Sequence, residues 1–111
     1  LGQVETALHF GHECLPLFRK LGSLRWEGLV KTQLGVLHQA QEQYEQAVAL
    51  LREARQIFVE VGDRFEQAYT CYYLYKLYAA IGETALSLEA KQEAQRLNQT
   101  LQIPYLTAQL V

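Results

Sequence analysis

The stretch "VEVGDRFEQA", residues 59–68, interrupts a chain that otherwise has the pattern of nearly continuous helix. Gly62 suits the left-handed residue that follows a helix, and Asp63 suits the N-cap of the next helix. Glu66, three residues after Asp63, completes the sequence pattern of a capping box. The stretch "RKLGSLRWEG", residues 19–28, has the same form forty residues earlier. The sequence therefore predicts two equivalent helix boundaries at a constant interval.

The forty-residue interval extends along the whole chain. Positions that coincide after a shift of forty are Leu34 with Leu74, Leu37 with Leu77, Ala40 with Ala80, Glu53 with Glu93 and Ala54 with Ala94. Residues 24–40 and 43–61 each carry apolar side chains at spacings of three and four, which predicts two amphipathic helices per unit. The second helix has another apolar row, so it must contact neighbours on two sides, as stacked helical hairpins do. The predicted organisation is a half-repeat at 1–22, repeats at 23–62 and 63–102, and the start of a further helix at 104–111.

The small and large residues of the central unit follow an order known from one family. The order is Leu34-Gly35, His38, Tyr44, Ala47, Leu51 and Ala54. With it the chain resembles the tetratricopeptide-repeat family, in the forty-residue variety with Leu-Gly-Asp joints found in bacterial signalling ATPases, transcription regulators and animal cell-polarity adaptors. The resemblance implies an all-α fold: a right-handed superhelical solenoid of antiparallel helix hairpins, with about five to six helices.

Three positions depart from a regular repeat of this kind. His38 replaces the usual Tyr, and we expect it to pack in the core and bond a neighbouring loop. Tyr75 replaces the usual Gly, and should push the helices of the third hairpin apart or change their crossing. Pro16 cannot donate a hydrogen bond to the carbonyl of His12, which predicts a kink or an early helix end near residues 12–16.

The end of the chain allows two interpretations. In the helix expected at about 84–101, one row of positions has become polar: Ser87, Lys91 and Asn98. A polar outer face is typical of a terminal repeat, which would make 104–111 a capping helix. The match of Ala108 with Ala68 instead favours an array that continues in a longer parent chain. The absence of methionine, including at position 1, also predicts that the sequence is a piece of something longer.

The charge and the cysteines narrow the class of protein. The 10 basic and 12 acidic residues give a formal charge of −2, which provides no long-range attraction to nucleic acid. No apolar run reaches the roughly 18 residues of a membrane span, and no signal peptide is visible. Cys14 and Cys71 fall on separate units and should be small core residues that cannot reach each other. We therefore expect a cytoplasmic protein without nucleic-acid or membrane partners.

Few residues have the spacing of a chemical site. His9 and His12 lie three apart beside Glu13, which would suit zinc, but the sequence offers no third ligand and a solvated helix face is preferred. There is no glycine-rich phosphate loop and no nucleophile motif. We interpret the remaining charged residues as solvated surface groups that lie beside opposite charges: Glu53 with Arg52 and Arg55, and Asp63 with Arg64. We expect no enzyme activity, no metal and no cofactor.

The tyrosine-rich stretch "YTCYYLYKLY", residues 69–78, is the strongest local anomaly. Tyr75 and Tyr78 should point into the hairpin with Leu74. By the family pattern another face lines a concave groove, and the candidate binding residues are Leu29, Thr32, Gln33, Val36, Tyr69, Tyr72, Tyr73 and Lys76. Tyrosine rings and a lysine would suit an extended or helical peptide that carries a carboxylate. The alternative is that the tyrosines only pack against neighbouring helices.

The expected function is a scaffold that binds a protein or peptide partner in this groove, as part of a larger regulatory or signalling protein. The family's Lys/Asn clamp for a terminal carboxylate is absent, because Thr32, Val36 and Tyr72 stand at the relevant places. The alternative is a self-association module, in which terminal helices stack to form a homo-oligomer.

Overall fold

A computed structural model describes residues 2–20 and 22–111. Those residues form six helices and no strand: α1 Gly2–Lys20, α2 Leu24–Ala40, α3 Tyr44–Val61, α4 Arg64–Ala80, α5 Thr84–Leu101 and α6 Pro104–Gln109. The prediction of an all-α protein with five to six helices is therefore confirmed. Leu1, in the predicted half-repeat 1–22, and Leu21, in the first predicted break, lie outside the described residues.

The helix boundaries repeat with the interval expected from the sequence. The helices α2, α4 and α6 begin at residues 24, 64 and 104, and α3 and α5 begin at 44 and 84. Each helix packs against the next one, most extensively α2 against α3 and α4 against α5. The helices α2 and α4 also contact each other, which places the first helices of the two hairpins side by side. This contact creates the cleft described below.

The joints between helices share one backbone conformation. A residue with positive φ stands every twenty positions: Gly22 (69°), Glu42 (61°), Gly62 (73°), Gly82 (79°) and Gln102 (52°). At the joint between α3 and α4, the N–H of Gly62 donates to Val59 C=O at 3.3 Å and the N–H of Asp63 donates to Phe58 C=O at 3.0 Å. These two bonds form a Schellman motif, in which the left-handed residue lets the chain turn back on the helix end.

Asp63 then starts α4, as predicted. Its Oδ1 accepts the backbone N–H of Glu66 at 3.0 Å. The reciprocal bond of a capping box is not formed, because the N–H of Asp63 is already bonded to Phe58. The other oxygen, Oδ2, accepts a hydrogen bond from Arg25 Nε at 3.0 Å. The ionic partner of Asp63 is therefore on α2 and is not the adjacent Arg64.

We expect Glu42→Gly to raise the free energy of unfolding by about 0.5–1 kcal/mol. An L-residue in the left-handed region costs about 1–2 kcal/mol, and the larger chain entropy of glycine offsets part of the gain. The urea midpoint of unfolding measures the effect. The control is Glu45→Gly in the first turn of α3, which should lower stability by about 1 kcal/mol. A lower midpoint for Glu42→Gly would contradict the left-handed joint.

Close packing of α2 and α3 depends on a glycine. A Cβ atom on Gly35 would lie 2.7 Å from Leu51 Cγ. Forty residues later, Tyr75 and Lys91 stand at the two corresponding positions. The Lys91 ammonium lies 5.4 Å from the centroid of the Tyr75 ring, a favourable cation–π contact. The exchange of both partners explains how the third hairpin accommodates a tyrosine where the second has glycine.

The helices of that third hairpin remain packed together. Ala68, Cys71 and Tyr72 of α4 share one buried cluster with Ala94 and Leu97 of α5. Leu74 and Tyr78 are buried, as predicted, whereas Tyr75 is only half-buried. The helices are therefore not driven out of contact by the Tyr75 ring.

The first helix continues through its proline. The helix α1 runs from Gly2 to Lys20 with Pro16 inside it, so the predicted early end near residues 12–16 is wrong. Packing on both sides of Pro16 holds the helix: Leu15 is buried with Leu34, and the Phe18 ring stacks on Trp26 at 6.3 Å. Tertiary contacts can outweigh the loss of one backbone hydrogen bond.

The polar row of α5 has a different role from the one predicted. Asn98 Oδ1 accepts the N–H of Ile103 at 2.8 Å, and its Nδ2 donates to Thr107 Oγ1 at 2.9 Å. Lys91 Nζ donates to the carbonyl of Val111 at 3.4 Å. These bonds hold α6, whose Leu106 is fully buried. Ser87 is buried and donates to the carbonyl of Tyr75 in α4 at 3.1 Å, so the row forms internal contacts with α4 and the C-terminal segment and is not a solvated outer face.

Candidate functional site

A cleft lies between α2 and α4, at the contact of the two hairpins. It encloses about 290 Å3 and is lined by Leu29, Thr32 and Gln33 of α2 and by Phe65, Glu66, Tyr69 and Tyr73 of α4. Phe65, Tyr69 and Tyr73 are spaced four residues apart, so they follow one face of the helix. We call this site the α2–α4 cleft.

Three aromatic rings of α4 line the α2–α4 cleft, and a fourth ring, from α6, packs against the middle one of the three. The Phe65 and Tyr69 centroids are 5.1 Å apart, and the Tyr69 and Tyr73 centroids are 6.4 Å apart. Tyr105 of α6 stacks on Tyr69 at 6.4 Å with an interplanar angle of 16°. We call these four residues the aromatic strip. Phe65 is 48% exposed and Tyr105 52% exposed, so the strip presents apolar rings to solvent.

The structure brings five of the predicted groove residues together. They are Leu29, Thr32, Gln33, Tyr69 and Tyr73. Thr32 is 3% exposed and its hydroxyl donates to the carbonyl of Gly28 at 3.0 Å, so it offers little polar surface. Val36 is half-buried and Lys76 is exposed, but neither side chain is among those that line the cleft.

Tyr72 packs against Tyr105 of the aromatic strip and does not line the cleft. Its side chain is only 7% exposed, and its ring meets Tyr105 edge to face at 5.9 Å. The two hydroxyl oxygens are 3.3 Å apart. This hydrogen bond, together with burial, raises the pKa of Tyr72 to about 12. For Tyr72, the alternative that a tyrosine packs against a neighbouring helix is the one that the structure shows.

Three residues of this surface were missed by reasoning from the sequence: Phe65, Glu66 and Tyr105. Two of them had a detectable signal. Phe65 lies one helical turn before Tyr69, and Tyr105 lies forty residues after Phe65. Applying the repeat interval to Phe65 would have predicted an aromatic ring from the next helix at the equivalent place.

Glu66 is the one carboxylate in the lining of the cleft. Its side chain forms no hydrogen bond or ion pair with another described residue. Burial raises the pKa of Glu66, repulsion from Asp63 raises it further, and Arg25 lowers it. Arg25 is itself bonded to Asp63, at 3.0 Å. The α2–α4 cleft therefore contains a carboxylate that forms no ion pair with any side chain in the described part of the chain.

A second polar cluster is internally satisfied. Glu93 of α5 accepts two hydrogen bonds from Arg55, both 2.8 Å long, one from Gln67 at 2.8 Å and one from the thiol of Cys71 at 3.0 Å. Burial opposes ionisation of Glu93, but these donors outweigh it and lower its pKa. The cluster borders a depression of about 520 Å3 between α3 and α5.

Cys71 is unsuited to nucleophilic chemistry in this cluster. Burial raises the pKa of its thiol strongly, and its hydrogen bond to Glu93 raises it further. The reactive form of cysteine is the thiolate, which these surroundings disfavour. Cys71 is fully buried as predicted, whereas Cys14 is only half-buried, and neither forms a disulfide. The Glu93 cluster is accordingly structural.

The histidines form a hydrogen bond between α1 and α2. The Nε2 atoms of His12 and His38 are 3.0 Å apart, and His38 Nδ1 lies 2.6 Å from Gln43 Oε1. If Nδ1 of His38 carries the proton that Gln43 accepts, its Nε2 accepts from His12. The predicted bond from His38 to a neighbouring loop is confirmed. His9 instead pairs with exposed Glu13 at 3.1 Å.

The described side chains do not form a metal site. Within residues 2–20 and 22–111, no three or more histidine, cysteine, aspartate or glutamate side chains are arranged to hold an ion. None of the helices in the same part of the chain is long and apolar enough to cross a membrane.

The fold defines the class of this protein as all-α, with helix boundaries that repeat along the chain. No protein-family model matches the sequence, and no curated protein matches it.

Proposed function

We propose that the chain is a helical-repeat interaction module of the tetratricopeptide type, which binds an extended peptide segment of a partner protein along the α2–α4 cleft. The observation that carries the proposal is the partly exposed aromatic strip on a surface to which α2, α4 and α6 contribute. The module acts by holding its partner and performs no chemical step.

The physical basis is the combination of contact area and rigidity. Tyrosine rings contribute large apolar surface, and aromatic residues dominate the binding energy of many interfaces. Binding costs conformational entropy for every side chain that it immobilises. Because Tyr69 already contacts Phe65, Tyr73 and Tyr105, its ring is restrained before a partner arrives. The strip is therefore pre-organised to bind.

Self-association is a second candidate, and a separate observation favours it. Phe10 and Leu17 of α1 are 60% and 58% exposed, and they are seven residues apart. Two helical turns separate them, so they lie on one face of α1. Light scattering coupled to size-exclusion chromatography, over a hundredfold range of concentration, tests this candidate. A constant mass near 12.7 kDa would exclude it.

We expect Tyr69→Ala to weaken peptide binding by about 30-fold, the effect of losing a hot spot of roughly 2 kcal/mol. Ligands come from a random peptide library selected against the wild-type chain, and fluorescence polarisation measures their affinity. The matched control is Tyr44→Ala, since Tyr44 is 37% exposed on α3 and lies outside the cleft. Circular dichroism verifies that both variants are folded. Equal affinities of wild type and Tyr69→Ala would sink the proposal.

A further inference from the structure

We infer that the α2–α4 cleft selects an arginine side chain in the bound peptide, with the guanidinium placed against Glu66 and over the rings of Tyr69 and Tyr73. This inference rests on the proposed function. It names the chemistry of the partner, and it reverses the charge expected from the sequence, where Lys76 was to meet a carboxylate.

The charge of the α2–α4 cleft is complementary to a cationic ligand. Glu66 is the only charged side chain in the lining of the α2–α4 cleft, and Lys76 does not line it. The Glu66 carboxylate is half-buried and forms no ion pair with another described side chain. Arg25, whose charge lowers the pKa of Glu66, is itself bonded to Asp63 at 3.0 Å. A ligand cation would therefore find a partly desolvated carboxylate that no described side chain contacts in an ion pair.

The rings beside that carboxylate also favour a cation. A cation within about 6 Å of an aromatic centroid gains roughly 0.5–1 kcal/mol at an exposed site. The chain already uses this contact elsewhere, because Lys91 lies 5.4 Å from the centroid of Tyr75. Tyr69 and Tyr73 line the same cleft as Glu66, so one ligand group can contact a carboxylate and an aromatic face together.

The chemistry and the size of the cleft favour arginine over other groups. The guanidinium is planar, weakly hydrated and able to donate two parallel hydrogen bonds to one carboxylate while it stacks on a ring. The cleft volume of about 290 Å3 falls just below the roughly 300–1,000 Å3 of a site for a whole small molecule. Its size suits one long side chain of a peptide whose backbone continues along the aromatic strip.

The test uses the peptides selected on the wild-type chain from the random library. We expect arginine to be enriched at one position. In the best binder, that arginine is replaced by citrulline, which keeps the shape and removes the charge. Wild type should bind the arginine peptide about tenfold more tightly than the citrulline peptide, as for a partly exposed charge pair.

The protein variants complete the cycle. Glu66→Gln should lose this tenfold preference and bind both peptides equally. The matched control Glu5→Gln, which removes the same charge from exposed α1, should retain it. The Glu66 substitution leaves the backbone N–H that Asp63 accepts, so the start of α4 is kept.

The outcomes separate this inference from the proposed function. Selected peptides without arginine enrichment, or a preference for arginine that survives Glu66→Gln, would overturn the inference while peptide binding stands. Failure of the selection to yield any peptide that binds the wild-type chain would overturn both.

Discussion

Replacing Phe58 with alanine is expected to lower the free energy of unfolding by about 3–5 kcal/mol. Phe58 is completely buried and is among the largest fully buried side chains of the described residues. Its ring lies against α2, where a Cβ atom on Gly28 would be 3.0 Å from Phe58 Cζ. The ring thus fills the space that Gly28 leaves open, and alanine would leave a cavity between α2 and α3.

The size of this loss makes the experiment decisive. Domains of this length are stable by about 5–15 kcal/mol, so one substitution would remove a large fraction of the total. Urea denaturation measures the midpoint, and an unchanged slope would show that the change is in stability alone. The matched control is the adjacent Val59→Ala, a side chain 42% exposed, which should cost less than about 1 kcal/mol. Equal shifts for both variants would contradict the packing of α3 on α2.

The second large effect is expected for Glu93→Gln, which should lower the free energy of unfolding by about 2–3 kcal/mol. Glutamine keeps the shape but turns an amide donor toward Arg55, Gln67 or Cys71, each of which now donates to Glu93. Removing one member of a buried charge pair costs about 3–5 kcal/mol. The expected value is smaller because the Arg55 side chain is 35% exposed.

The same substitution should change the pH dependence of stability. The pKa of Glu93 is lower in the folded chain than in the unfolded one, since its three donors outweigh burial. Ionised Glu93 therefore stabilises the fold above the unfolded pKa of about 4.3, and this contribution is lost as pH falls through the lower folded-state value. The stability difference between wild type and Glu93→Gln should be constant above about pH 5 and shrink below about pH 4.3.

The control for both measurements is Glu89→Gln, one turn earlier on α5. Glu89 is exposed, and we expect a change of less than about 0.5 kcal/mol that does not vary in the same way with pH. A pH-independent difference for Glu93→Gln would contradict an ionised Glu93 in the network. Burial raises the pKa of Glu27, but Lys31 and Arg19 outweigh this effect and lower it. Because the wild type and both variants contain Glu27, its contribution to the pH dependence of stability cancels when they are compared.

Ion pairs show why part of the structure could not be predicted. The sequence suggested Glu53 with Arg52 or Arg55, and Asp63 with Arg64. In the structure Glu53 pairs with Lys31, Arg55 with Glu93 and Asp63 with Arg25. Residues one or two apart on a helix point in different directions, so the partners come from other helices. Only the packing of those helices determines which charges meet.

The residues of the candidate site were also only partly predicted from the sequence. Helical spacing predicted that Tyr69, Tyr72 and Lys76 share one face of α4, and the family pattern placed that face in a groove. In the structure Tyr69 lines the cleft together with Tyr73, Leu29 and Gln33. Tyr72 is instead buried, because the ring that covers it comes from α6. The charge of the cleft could not be predicted from the sequence either, because α4 carries both Glu66 and Lys76. Only the structure shows that Glu66 lines the cleft and Lys76 does not.

The sequence by itself determined the all-α class, the count of about five to six helices and the forty-residue spacing of the helix starts. These depend on local causes: the apolar period of each helix, the left-handed joint at Gly62 and the N-cap of Asp63. The tertiary structure alone decided that Pro16 stays within α1, that Asn98 of α5 binds α6, and which aromatic rings remain exposed. Each of these depends on contacts between residues distant along the chain, whose free energy is not encoded in any local pattern.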